Sequence, residues 1–291
     1  MSAGVLFDSP GPATRARHRI YTVVAVVLLA LGIGVVVWRL QDAGQFAYDL
    51  WEPYITPKYV EALLEGLLDT LKMAFTAVLG AVVFGLVFGV GKLSDHSFIR
   101  WPCWLVVEFF RAVPVIMLMI FFFYAVFADL PIERAAYWGV VTALTLYNGA
   151  VLAEVFRAGI NAVPKGQSEA AYAIGMRKSQ VMNIILLPQA VKIMIPAIIS
   201  QCVVALKDTS LGYLIAAPGL TRVGRSIYIE FANHVPTIMV LALFYVSVNL
   251  VLTGLATWVQ RKFVGEKKLD VGVIAGGGMA TGENTGGGFA P

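Results

Sequence analysis

Two acid–base couples lie inside strongly apolar stretches of the chain: Glu108 with Arg111, and Glu154 with Arg157. The members of each couple are three residues apart, which on a helix makes them neighbours on one face. A charge left unpaired in hydrocarbon costs at least about 2.5–3.5 kcal/mol, so ionisable residues there are functional candidates by default. Two roles fit: local ion pairs that hold helices in place near a membrane interface, or the lining of a cavity that meets a polar solute. Asn161 stands seven residues after Glu154, about two turns along the same helix face. Lys207 and Asp208 end another apolar run; they can pair with each other, or Lys207 can attract a carboxylate, as can Arg111. None of this is bond-breaking chemistry. The chain has neither a nucleophile elbow nor a His/Asp/Glu cluster, so no catalytic residue is assigned. His18, His96 and His234 lack metal-ligand spacing, so no metal is expected. Cys103 and Cys202 form no C-x-x-C and read as buried small side chains.

The elements that must position these residues follow from composition. Of 291 residues, 58% are hydrophobic and 14% charged, with mean hydropathy +0.77. A soluble domain is nearer half apolar and a quarter charged, so the excess points to a polytopic membrane protein. The net charge is +4, but the basic residues sit in short clusters between apolar runs. That is the pattern of inner loops, not the basic stripe of a nucleic-acid binder.

Residues 1–19 are polar, with Arg15, Arg17, His18 and Arg19, and Ile20 to Trp38 follows as 19 uncharged residues. A cleaved signal peptide would have a shorter apolar core and a small-residue cleavage site, which Arg39-Leu40-Gln41-Asp42 does not offer. The stretch reads as a transmembrane helix with its amino end inside. Residues 39–61 are acidic and dense in aromatics, as at an outer interface, with a short surface helix. The second span includes Met73 to Gly91, where Gly80, Gly85, Gly89 and Gly91 let another helix come close. Lys92, Asp95, His96 and Arg100 form an inner loop. The third span runs from about Trp101 to Ala128, broken low down by Glu108 and Arg111, with Pro114 following. Phe121 to Tyr124 circle that helix and read as lipid-facing or packing residues. The fourth span is about Ala135 to Ala158. The fifth, about Val191 to Leu206, is interrupted by Pro196 and has room to begin earlier and extend past Lys207. Residues 209–234 read as an outer re-entrant or interfacial segment. The sixth span is Val235 to Gln260, followed by Arg261, Lys262, Lys267 and Lys268. The fold class is all-α integral membrane with about six transmembrane helices and both termini inside. The glycine-rich tail, 263–291, has little to bury and reads as disordered.

The largest inner loop, residues 161–188, departs from this apolar pattern. Pro164 and Gly166 mark a turn, Ser168 is placed to cap a helix, and small and polar residues then run at helical spacing to Ile174. Gly175 permits a sharp change of direction through positive φ. A second helical piece, Ser179 to Leu187, is expected to stop at Pro188. Two short helices bent at a glycine make a knob, with Ala170, Ala171 and Ala173 small enough to enter a groove on another protein.

That loop has the form E-A-A-x3-G-x9-I-x-L-P, filled by Glu169-Ala170-Ala171, Gly175 and Ile185-Leu186-Leu187-Pro188. With it come Glu108-Phe109-Phe110-Arg111-Ala112-Val113-Pro114, Ala153 to Ile160, Val163 to Gln167, and Leu206 to Leu211. In these blocks the chain resembles the permease subunits of bacterial ABC importers, in their polar amino-acid branch, and is similar to glutamate-type permeases of Gram-positive actinobacteria. The resemblance covers residues 62–262. It departs at Ala112 and Val113, where the family usually reads R-G-T-P. It implies a five-helix type I importer core, to which the helix in residues 20–61 is an addition. It implies that Glu169, Ala170, Ala171 and Gly175, with Pro188 closing the motif, dock in a groove of a cytoplasmic ABC ATPase dimer. No G-x-x-x-x-G-K-[ST] run exists in this chain, so ATP would be bound by that partner and no cofactor by this subunit. The further implied partners are a sister permease (a heterodimer, or a second copy in a homodimer), an extracytoplasmic amino-acid-binding protein and membrane lipid. Glu154 and Asn161 would then contact the ammonium or side chain of a glutamate-, aspartate- or glutamine-like substrate, with Arg111, Lys207 and Asp208 along the path.

The main rival is an ion-gradient-driven secondary transporter, which broken helices and midplane charges also suit. Nothing in that mechanism needs a small-residue knob.

Overall fold

Inside a bilayer the backbone must satisfy its own hydrogen bonds, and a helix does so within a single segment. This computed structural model describes residues 11–263, which are helices and turns throughout. The tail expected to be disordered lies almost wholly outside the described residues, as do residues 1–10. The first helix, α1 (Pro12–Asp42), carries the long apolar run and buries none of it against the rest of the chain. A short helix, α2 (Tyr48–Trp51), and a 3-10 turn (Glu52–Tyr54) make the expected surface element. Next come α3 (Pro57–Lys92) and, beyond the two half-helices described below, α6 (Ile132–Asn161).

The core is the seam between α3 and α6. On α3 the buried positions include Thr70, Met73, Ala74, Ala77, Ala81, Gly85 and Gly89, a helical stripe of mostly small residues. On α6 they include Ala136, Val140, Leu144, Asn148 and Ala153. The backbones meet so closely that a Cβ on Gly85 would lie 2.7 Å from Leu152 Cβ, and one on Gly89 2.9 Å from the Ala153 carbonyl oxygen. Dispersion across a tight seam replaces the hydrophobic drive that lipid removes.

The third span is where the expected layout changes. It is two half-helices, α4 (Ser97–Ala112) and α5 (Val115–Phe121), the latter running on as a π turn (Phe122–Val126), and they meet at 98°. The cause is local. Pro114 has no N–H to continue the ladder and pushes Val113 out of the helical region, to φ −80° and ψ 128°. In the run after it, Phe123 packs into the core while Phe121 and Tyr124 face outward.

After α6 come α7 (Lys165–Ala173), α8 (Lys178–Gln180), a π turn (Val181–Leu186) and α9 (Leu187–Asp208). The fifth span is therefore longer than its uncharged run, reaching from Lys178 to Ile215 through a 3-10 turn (Thr209–Ile215). The side-chain amide of half-buried Gln201 donates to Oδ1 of buried Asn148 at 2.5 Å, tying α9 to α6. The segment then turns through Gly219, at φ 150°, into the amphipathic α10 (Leu220–Phe231), and α11 (His234–Phe263) closes the bundle against α9 and α10. Among the described residues five helices are long and apolar enough to cross a membrane, or six when the bent pair α4–α5 is counted as one span.

Candidate functional site: a bent loop and an ionic cluster

The bend at residue 175 forms as the glycine dictates. Gly175 sits at φ 84°. Its N–H donates to the Tyr172 carbonyl at 2.9 Å, and the Met176 N–H to the Ala171 carbonyl at 3.1 Å. This double closure satisfies the last carbonyls of α7 and turns the chain sharply. The next helix starts where the Arg177 N–H donates to Gln180 Oε1 at 2.8 Å. Two expectations fail in this loop. Pro164, not Ser168, occupies the N-cap of α7, and the Ser168 hydroxyl donates back to the Lys165 carbonyl at 2.8 Å. Pro188 does not stop the helix: it enters the first turn of α9, where a missing N–H is harmless, and the π turn before it absorbs the extra residue.

The faces of α7 divide unevenly. Glu169, Ala170, Ala173 and Gly175 are exposed, whereas Ala171 is only 5% exposed and packs into its own chain. Ala171 therefore does not present itself to a partner; it anchors the knob. The outward face also includes Tyr172 and Ile174, at 49% and 79% exposure, which sequence reasoning passed over as spacer positions. Two contacts brace the knob. Gln189 Nε2 donates to Gln167 Oε1 at 3.3 Å, and Lys178 pairs with Asp95 in the turn joining α3 to α4. Lys178 holds the Asp95 carboxyl below its usual range.

The second feature centres on Lys92, the last residue of α3. Its side chain is 6% exposed. The ammonium donates to Glu108 Oε1 on α4 at 3.2 Å and to Glu154 on α6. Arg111 donates to Glu108 at 3.2 Å, and Arg157 Nε to Glu154 Oε2 at 2.9 Å. Five charges thus alternate in a chain, Arg111–Glu108–Lys92–Glu154–Arg157, joining three helices. Lys92, Glu108, Glu154 and Arg157, with Arg100, Trp101 and Trp104, line a cavity of about 340 Å³. Each acid–base couple closes locally, as the local-pair reading expects, and both Glu108 and Glu154 also border the cavity. The sequence pattern places Lys92 in the inner loop, whereas it ends α3 inside the cluster. The signal available was that a lysine closing a long uncharged run needs a counter-charge.

The other candidate path residues lie apart. Asn161 is exposed at the end of α6, about 10 Å along the axis from Glu154, and does not line the cavity. Lys207 and Asp208 sit at the far end of α9, and the two make no ion pair with each other. Successive helical residues point about 100° apart, which explains the missing pair. Lys207 is exposed and Asp208 half-buried.

Residues 60–265 match the model of the binding-protein-dependent transport system inner membrane component. The chain belongs to that family. Among its relatives is the glutamate transport system permease protein GluD of Corynebacterium glutamicum, 42% identical over 226 residues, which are 77% of this chain and 83% of the relative. Another is the glutamate/aspartate import permease protein GltK of Escherichia coli O6:H1, 30% identical over 207 residues, 69% of this chain and 92% of the relative. Among solved structures, an amino acid ABC transporter crystallised with histidines superposes with TM-score 0.66 at 29% identity, over 70% of this chain and 95% of that one. The MetNI methionine ABC transporter in an inward-facing conformation gives TM-score 0.62 at 19% identity, over 72% and 99%, a likeness of fold. The permease core of the family member described here thus runs from α3 to α11, and α1 precedes the matched region.

Proposed function

We propose that this permease forms half of the membrane path of an ATP-driven importer for polar amino acids of the glutamate, aspartate and glutamine kind. The carrying observation is the exposed bend of residues 169–175, held out from the bundle with Glu169 and Ala170 facing outward. A stiff knob braced to α9 and to the α3–α4 turn suits a surface through which another protein pushes. The pusher is a separate ABC ATPase dimer, which binds the ATP that this chain has no phosphate loop to hold. The basic ends of the helices, with the knob and both termini, face the cytoplasm. A sister permease completes the path, as a heterodimer, and an extracytoplasmic binding protein delivers substrate at the opposite face. Within the path, Lys207 at the outer end of α9 attracts the substrate carboxylate. Both Glu154 oxygens are engaged here, so Glu154 meets a substrate ammonium only after Lys92 or Arg157 lets go.

Purification from detergent with identification of co-purifying chains tests this reading: an ATPase should accompany the permease, and its absence would refute the proposal. Gly175→Pro or Glu169→Lys should leave the spans inserted while ATP hydrolysis no longer drives uptake. Failure of either variant to insert would make the loop structural. Uptake that follows an ion gradient and persists without ATP would favour a secondary transporter.

A further inference from the structure

We propose that Lys92 is a positioning residue: an ionic latch that holds α4 against α6 and that opens and closes in each transport cycle. This rests on the ATP-driven reading above and adds a moving part to it. The latch joins three elements through one buried ammonium, because its two carboxylates come from α4 and α6 while the lysine ends α3. Without that ammonium, Glu108 and Glu154 would face each other across the seam as like charges.

The arrangement suits a switch better than a permanent weld. Buried ion pairs sit near break-even against their desolvation, whereas leaving one partner uncompensated is costly. Here opening strands no carboxylate, because Glu108 keeps Arg111 and Glu154 keeps Arg157. Lys92 would turn to the cavity beside it and to the carbonyl end of α3, where a cation is favoured.

A second observation supplies the drive. Only residues 93–96 separate Lys92 from α4, and Asp95 in that turn is paired with Lys178 of the docking loop. A push on the loop therefore reaches the latch through a turn of four residues, in parallel with the path along α9.

The chain carries its own reporter. Cys103 on α4 packs its sulfur against Gly91, next to Lys92, and is half-buried. It and Cys202 are the only cysteines. In a Cys202→Ala background, in lipid vesicles, maleimide labelling is followed at the Cys103 peptide by mass spectrometry. For the permease alone, Lys92→Met should label roughly tenfold faster than wild type, equivalent to about 1.4 kcal/mol of lost closure. Lys92→Arg should label at the wild-type rate and retain uptake. Should Lys92→Met fail to reach the membrane, Glu108→Gln removes only the α4 arm and should speed labelling several-fold. For the assembled importer, labelling of the wild type should differ several-fold between nucleotide-free and ATP-bound states. Unchanged labelling in the neutral variants, or a rate indifferent to nucleotide in a complex that hydrolyses ATP and transports, overturns the latch. Absence of any ATPase partner instead defeats the functional reading and leaves the permease-alone arms standing.

Discussion

At the scale of single residues, the loop of residues 161–188 separates side chains that the motif treats alike. Ala170 and Ala171 are adjacent, yet one faces outward and the other is 5% exposed. Ala171→Leu should destabilise the permease by about 1–3 kcal/mol through overpacking, read as a lower unfolding temperature in detergent. Ala170→Leu should leave that temperature unchanged and weaken capture of the ATPase. Equal destabilisation by both would mean that the outward face of α7 is not free. Motif spacing cannot reveal this division, because either face of a nine-residue helix can point home until the braces at Gln167 and Asp95 are known. Gly175 was legible for the opposite reason: its backbone requirement is intrinsic to the residue.

At the scale of elements, the α3–α6 seam carries the fold and the α3–α4 turn carries a weak but placed contact. Gly89→Leu should force the seam apart, since even a Cβ there would lie 2.9 Å from the Ala153 carbonyl oxygen. The expected result is loss of monodisperse protein in detergent, and a well-behaved Gly89→Leu variant would refute the close approach. The Asp95–Lys178 pair is exposed, at 75% and 52% of the two side chains, and so is screened by salt. Because Lys178 holds the Asp95 pKa below its unfolded value, the contact contributes above that value, near 4, and is lost as pH falls through the folded pKa. Asp95→Asn should therefore lower the ratio of uptake to ATP hydrolysis equally from about pH 6 to about pH 8. About 1 M salt should imitate the substitution in the wild type. A mutant defect confined to one end of that pH range would place the titrating group elsewhere. Both effects come from pairings across the sequence. Lys92 meets acids 16 and 62 residues away, and Asp95 meets a lysine 83 away, so no local pattern announces them.

At the scale of the whole molecule, the spans were legible because hydropathy is written locally, and the glycines of α3 announced a close neighbour. The bend of the third span was not, because Pro114 marks a break without giving its angle. The bundle divides into a packed core from α3 to α11 and a first helix that buries nothing of its span within the chain. Removal of residues 1–45 should thus leave the unfolding temperature of the core in detergent unchanged. A drop of several degrees would show that α1 supports the core.

The broken third span has a consequence for how the chain enters the membrane. Neither Ser97–Ala112 nor Val115–Val126 reaches the ~20 residues that a helix needs to cross a bilayer alone. At the break, backbone groups leave the helical ladder, and within a bilayer such groups need protein around them. That shelter includes α6, which emerges from the ribosome later than both halves. Stable insertion of the two half-helices is therefore expected only once residues 132–161 have been made, and chains truncated before α6 should leave them extractable from the membrane by alkali.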